Sequence, residues 1–149
     1  MTESVSNSTS DLRGRVRALG AEPLLQIGAV AQIVELSLRT VRHYEDAGLV
    51  RPVARTAGGF RLYDQDTVDR LLLIKHMKPL GFTLEEMRLL IETHARLADP
   101  TLDAAERDDL VERIALFSAA ATEKVRALRE QLATAEAFAA NLQDDALEI

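Results

Sequence analysis

The sequence predicts a mainly α chain: two short helices joined by a tight turn, a small β-hairpin, two further helices and one very long helix. Three observations carry this reading. Aromatic residues make up 4 % of the 149 residues and Trp is absent, while Ala and Leu abound, a mixture that favours helix packed on helix. Adjacent glycines, Gly58 and Gly59, separate two short extended runs, as a tight hairpin requires. Apolar residues then recur in steps of three and four from Leu110 to Leu142.

Each element has its own signal. Residues 1–10 are polar and offer too little apolar surface to fold, whereas Asp11 to Leu19 fits a short helix carrying Arg13, Arg15 and Arg17; residues 1–22 are read as a flexible tail. Ile27, Val30, Ala31 and Val34 follow helical spacing, and Glu35-Leu36 breaks it. Ser37 caps a second helix whose buried face is expected to hold Leu38 and Val41, with Tyr44 or Glu45, before Gly48 stops it. Two helices joined by about three residues suggest a helix-turn-helix. Pro52 to Arg55 and Phe60 to Tyr63 flank the glycines as a two-stranded ribbon, which must lean on neighbouring helices to be stable. Asp64 or Asp66 caps the next helix, ended by Pro79 and Gly81. Thr83-Leu84-Glu85-Glu86 is a capping box opening a helix with inner face Met87, Leu90, Ile91 and His94.

The final segment is the most regular. Leu110, Ile114, Phe117, Ala121, Val125, Leu128, Leu132, Ala135, Ala139 and Leu142 form a coiled-coil seam about 48 Å long, with a stutter at Ala121–Val125. No residue inside the same chain is left to cover it, so a second copy is the expected partner. The expected organisation is a winged helix-turn-helix domain over 23–98, a coiled-coil dimerisation helix over 102–143 and a short tail over 144–149.

Composition narrows the function classes. The chain contains no Cys, which excludes disulfides, thiolate metal sites and Cys-ligated iron–sulfur clusters. His43, His76 and His94 are scattered without a second ligand at helical spacing, so no metal and no cofactor are expected. The start resembles no signal peptide and no apolar run spans a bilayer, so a cytoplasmic protein without a membrane partner is expected. No nucleophile–base pair, phosphate loop or paired carboxylates support an enzyme. The net charge is −6, but it is unevenly spread. Residues 23–82 carry eight Lys/Arg against six acids, whereas residues 83–149 carry seven against fifteen. A polyanion would sit on the first module, not the second.

Four stretches then stand in register: Leu25-Gln26-Ile27-Gly28 with Val30-Ala31; Ser37 through Arg39-Thr40, Arg42, Tyr44-Glu45 and Gly48-Leu49; Gly59-Phe60-Arg61-Leu62-Tyr63; and Leu80-Gly81-Phe82-Thr83-Leu84-Glu85-Glu86. Together, over about Leu24 to Ile91, they resemble the signature of the MerR family of transcription regulators. The resemblance implies a homodimer, its long helices antiparallel, that binds double-stranded promoter DNA with an overlong spacer and distorts it for RNA polymerase. Two positions depart from the family's common pattern: Glu35 stands where Gly is frequent in the turn, and His43 where an aromatic residue often precedes Tyr44.

In a helix-turn-helix the second helix enters the major groove, led by its N-terminal half. The candidate DNA-binding residues are therefore Ser37, Arg39, Thr40, Arg42, His43 and Tyr44 on that helix. Arg55, Phe60, Arg61 and Tyr63 are the candidates on the wing, where Phe60 and Tyr63 are expected to seat the ribbon. Arg39 and Arg42 lie three apart and share a helical face, and Arg suits both guanine and phosphate. Glu45 is read as structural, pairing with a neighbouring Arg. An alternative, a DNA-bending architectural or excisionase-like factor, fits the head but has little use for the long seam. Only seven residues follow Leu142, too few for a folded ligand domain. Response to a small ligand, response to a protein and constitutive action stay open. Met87, Ile91 and His94 with the loop from Ala98 to Glu106 are the candidates for a small apolar pocket, against ordinary helix packing as the simpler reading.

Overall fold

The computed structural model describes residues 23–148, so the expected helix at Asp11–Leu19 and its three arginines lie outside the described residues. The chain divides into two compact units between Met77 and Lys78, a break that falls inside the 23–98 stretch expected as one domain.

The first unit begins with β1 (Leu25–Gln26) and α1 (Ile27–Val34). Val30, Ala31 and Val34 are its buried face, as their spacing requires. The helix ends on Glu35, which adopts a left-handed conformation with φ 55°. The Lys75 ammonium donates to the Val34 carbonyl at 2.9 Å and lies 3.5 Å from the Glu35 carboxylate, so a residue 41 positions away closes this helix end. α2 (Leu38–Asp46) starts where Ser37 Oγ accepts the Thr40 N–H. Val41 and Tyr44 are buried, whereas Leu38, expected inside, is 43 % exposed. In the first helical turn Leu38 points away from the core that Val41 and Tyr44 enter. Gly48, at φ 76°, turns the chain out of α2 and lets the Leu49 N–H reach the Tyr44 carbonyl.

The ribbon forms between β2 (Ala54–Arg55) and β3 (Arg61–Tyr63), closed by Gly59 at φ 85°. It is not two-stranded as expected. β1 adds antiparallel to β3, pairing Leu25 with Tyr63 and Gln26 with Leu62, in the order β1-β3-β2. The third strand ties the ribbon's base to the start of α1. Asp64 then caps α3 (Gln65–Met77), which buries Val68, Leu71, Leu72, Ile74 and Met77.

The second unit opens with a single 3-10 turn, Lys78–Leu80, followed by α4 (Leu84–Leu97) and α5 (Ala104–Leu147). The Thr83–Glu86 capping box forms as expected. The inner face of α4 holds Met87, Leu90, Ile91 and Thr93; His94, expected there, is exposed, because Thr93 turns inward and bonds the Leu89 carbonyl at 2.7 Å. Met87 and Ile91 are buried within the unit. A second capping box, Asp103 with Glu106, starts α5, two residues after the expected start.

The α5 seam is split between two fates. Leu110 is 4 % exposed and Ile114, Phe117, Ala121 and Val125 are half-buried, as α5 packs against α4. The Phe117 ring lies 6.4 Å from that of Phe82, over which the Lys124 ammonium sits at 4.7 Å. The expectation that nothing in the same chain covers the seam is therefore corrected for its first half. From Leu128 (41 % exposed) through Leu132, Ala135, Ala139 and Leu142 the stripe is uncovered, and Phe138 stands beside it.

Candidate nucleic-acid interface

The basic residues of the first unit converge because α2 and the ribbon share a support. Arg42 on α2 and Arg55 and Arg61 on the ribbon line one concavity of about 330 Å³, together with Gln26, Ile27, Gly59, Phe60 and Tyr63. Arg55 and Arg61 are directly opposed across β2 and β3, which places both side chains on the same face of the sheet. Like charges so placed repel unless each finds an acceptor or an anion lies between them. Arg55 Nη1 donates to the Gly59 carbonyl at 3.2 Å, which steadies it at the hairpin. Arg61 Nη1 donates to Glu45 Oε2 at 2.7 Å, and half of the Arg61 side chain remains exposed. The neighbouring carboxylate holds the Arg61 guanidinium even more firmly protonated than usual.

Glu45 thus pairs with an arginine, and its partner comes from the wing. Its second oxygen accepts the Tyr63 hydroxyl at 2.9 Å. Burial pushes the Tyr63 phenol's pKa up, so it stays a protonated donor.

The other candidates fall into four groups. Arg39, Arg42 and His43 are exposed on α2, although Arg39 does not line the concavity. Ser37 and Thr40 are engaged with each other, Oγ to Oγ1 at 2.8 Å, in the first turn of α2. Tyr44 and Tyr63 are 2 % and 0 % exposed, so neither presents surface to a duplex. That corrects their expected contact role: Tyr44 faces the core between helices, and Tyr63 seats the ribbon. Phe60 does the opposite of seating. It is 65 % exposed, its ring lying against the Gly58 turn, and its N–H is held by Thr56 Oγ1 at 3.1 Å.

Gln26 and Ile27 were not legible as interface residues, since a two-residue strand is too short for any alternation to register. The Asp103 box was legible as D-x-x-E. Among the described residues, no group of three or more His, Asp or Glu side chains is placed to hold a metal ion, and no helix is long and apolar enough to cross a membrane.

The family profile described as MerR HTH family regulatory protein matches residues 25–93, which spans every element of this interface. Residues 25–93 are a MerR-family helix-turn-helix region. Its helix-turn-helix region is 46 % identical over 66 residues to the mercuric resistance operon regulatory protein of Bacillus cereus, covering 44 % of this chain and 50 % of that protein. It is 38 % identical over 85 residues to the nodulation protein NolA of Bradyrhizobium elkanii, covering 57 % and 39 %. The match thus spans half or less of the length of these relatives. The fold is similar to a crystal structure of a MerR-family transcriptional regulator from Bacillus cereus, with a TM-score of 0.55 and 25 % identity over 77 % of this chain and 76 % of that one. The MerR-family head and the long helix α5 that follows it agree with that structure.

Proposed function

We propose that this chain is a cytoplasmic, dimeric, sequence-specific DNA-binding regulator that acts on transcription by distorting promoter DNA. The observation that carries the reading is the convergence of Arg42, from the second helix of the helix-turn-helix, with Arg55 and Arg61 of the wing about one concavity. Helix and wing then supply guanidiniums to the same stretch of duplex, Arg42 toward the base edges and Arg55 and Arg61 toward the backbone, with Arg39 and His43 exposed on α2. The basic balance of residues 23–82 supports this placement against an acidic whole.

The dimer is assigned to the second half of α5. Leu128, Leu132, Ala135, Ala139 and Leu142 keep the coiled-coil spacing and are uncovered within the chain. Leu110, Ile114, Phe117, Ala121 and Val125 spend much of their apolar surface inside the subunit. Antiparallel pairing of two copies, and action through RNA polymerase, complete the proposal. The relatives' named roles, mercuric resistance and nodulation, do not identify an effector for a chain without cysteine.

Footprinting the protein on the DNA upstream of its own gene tests the reading. A protected site overlapping promoter elements is expected, and Arg42→Ala should weaken binding there by about 1–3 kcal/mol while affecting random duplex less. Protection absent at every concentration below that which coats random DNA would overturn it.

A further inference from the structure

We propose that Glu45 is a positioning residue of the DNA interface: it fixes the wing against helix α2 and so sets where Arg61 meets the duplex. The inference rests on the DNA-binding reading above and adds to it a residue that touches no DNA.

Glu45 lies in the last turn of α2, and its side chain is only 9 % exposed. A carboxylate paired with one of the three guanidiniums that line the concavity opposes the approach of phosphate, so its presence there costs affinity unless it does something else. What it does is geometric. Its two oxygens take hydrogen bonds from alternate residues of one strand, Arg61 at 2.7 Å and Tyr63 at 2.9 Å. One bond would leave the strand free to swivel about the contact; two bonds from side chains on the same face of β3 remove that freedom.

The wing needs such an anchor. Strands of two and three residues cannot hold their own orientation. β1 fixes the base of β3 through Leu25 and Gln26, which lead into α1. Glu45 is the link to α2, the helix that reads the groove, and it reaches residues 16 and 18 positions further along the chain. The bond also occupies Arg61 in part. One guanidinium nitrogen faces Glu45 and its charge is partly balanced, while the remaining N–H groups of a half-exposed side chain are left for phosphate. Glu45 therefore exchanges some non-specific attraction for a defined contact.

The test is Glu45→Gln in the full-length protein, which keeps the shape and removes the charge. Affinity for the footprinted site should fall about tenfold, while affinity for random duplex holds or rises. The slope of log affinity against log salt should steepen by about one unit, because the released Arg61 takes up a further phosphate. Combining Glu45→Gln with Arg61→Ala should lower affinity for the site no further than Arg61→Ala alone. Tyr63→Phe, which deletes one of the two bonds, should show the same pattern at smaller size and serves if Glu45→Gln does not fold. Equal losses on both duplexes with an unchanged salt slope would make Glu45 a folding brace only and overturn the proposal, as would an unchanged affinity for the site. A wild-type protein without preference for any site would instead refute the DNA-binding reading itself.

Discussion

At the scale of single residues, Glu35 and Glu45 show how differently one residue type can be used. Glu35 occupies a left-handed backbone conformation that costs a non-glycine residue about 1 kcal/mol or more, and its exposed ion pair with Lys75 returns little. Glu35→Gly should therefore raise unfolding stability by about 0.5–1 kcal/mol in urea titration. A decrease would mean that the Lys75 contact outweighs the strain. Glu45 sits in relaxed helix and does its work through two hydrogen bonds. The pairing of Glu45 with an arginine was legible, because a carboxylate in a basic patch needs a counter-charge; that Tyr63 shares it was not.

At the scale of elements, local signals and periodicity had different reach. Ser37 and Thr83 cap their helices as their positions indicate, since capping involves atoms three residues apart. The α5 stripe was equally legible as a stripe, but its spacing carries no information about which chain covers it. Replacing Leu128 and Leu132 by Asp is expected to give monomers in light scattering with the helical content unchanged, because both residues are uncovered within the subunit. The same change at Leu110 should instead lower the melting temperature, since that side chain is already buried against its own subunit. If Leu110→Asp dissociates the protein without destabilising it, the division of the seam is wrong.

At the scale of the whole molecule, charge is segregated along the chain. With a net charge of −6, binding to a polyanion has to rely on the local basic surface of the first unit. Affinity should therefore fall steeply as salt rises from about 50 to about 200 mM, with one unit of slope lost for each phosphate-contacting arginine removed. A shallow slope in a fluorescence anisotropy titration would contradict a phosphate-dominated interface. The absence of cysteine leads to a second expectation: binding should be unchanged after exhaustive chelation. Zinc, copper or iron retained stoichiometrically through gel filtration would reverse it.

The sequence by itself determined the order of the helices and the hairpin, the helix caps, the glycine turns at Gly48 and Gly59, and the arginines offered by α2 and the wing. These are properties of residues within about four positions of one another, where spacing and side-chain chemistry suffice. Only the tertiary structure decided the inward turn of Tyr44 and Tyr63, the outward stance of Phe60, the third strand and the division of the α5 seam. The same holds for Glu45 meeting Arg61 and Tyr63, and for Lys75 meeting Val34. The reason is physical: these outcomes depend on packing between segments 16 to 41 residues apart, and hydropathy patterning records that a face is apolar without recording what will lie against it.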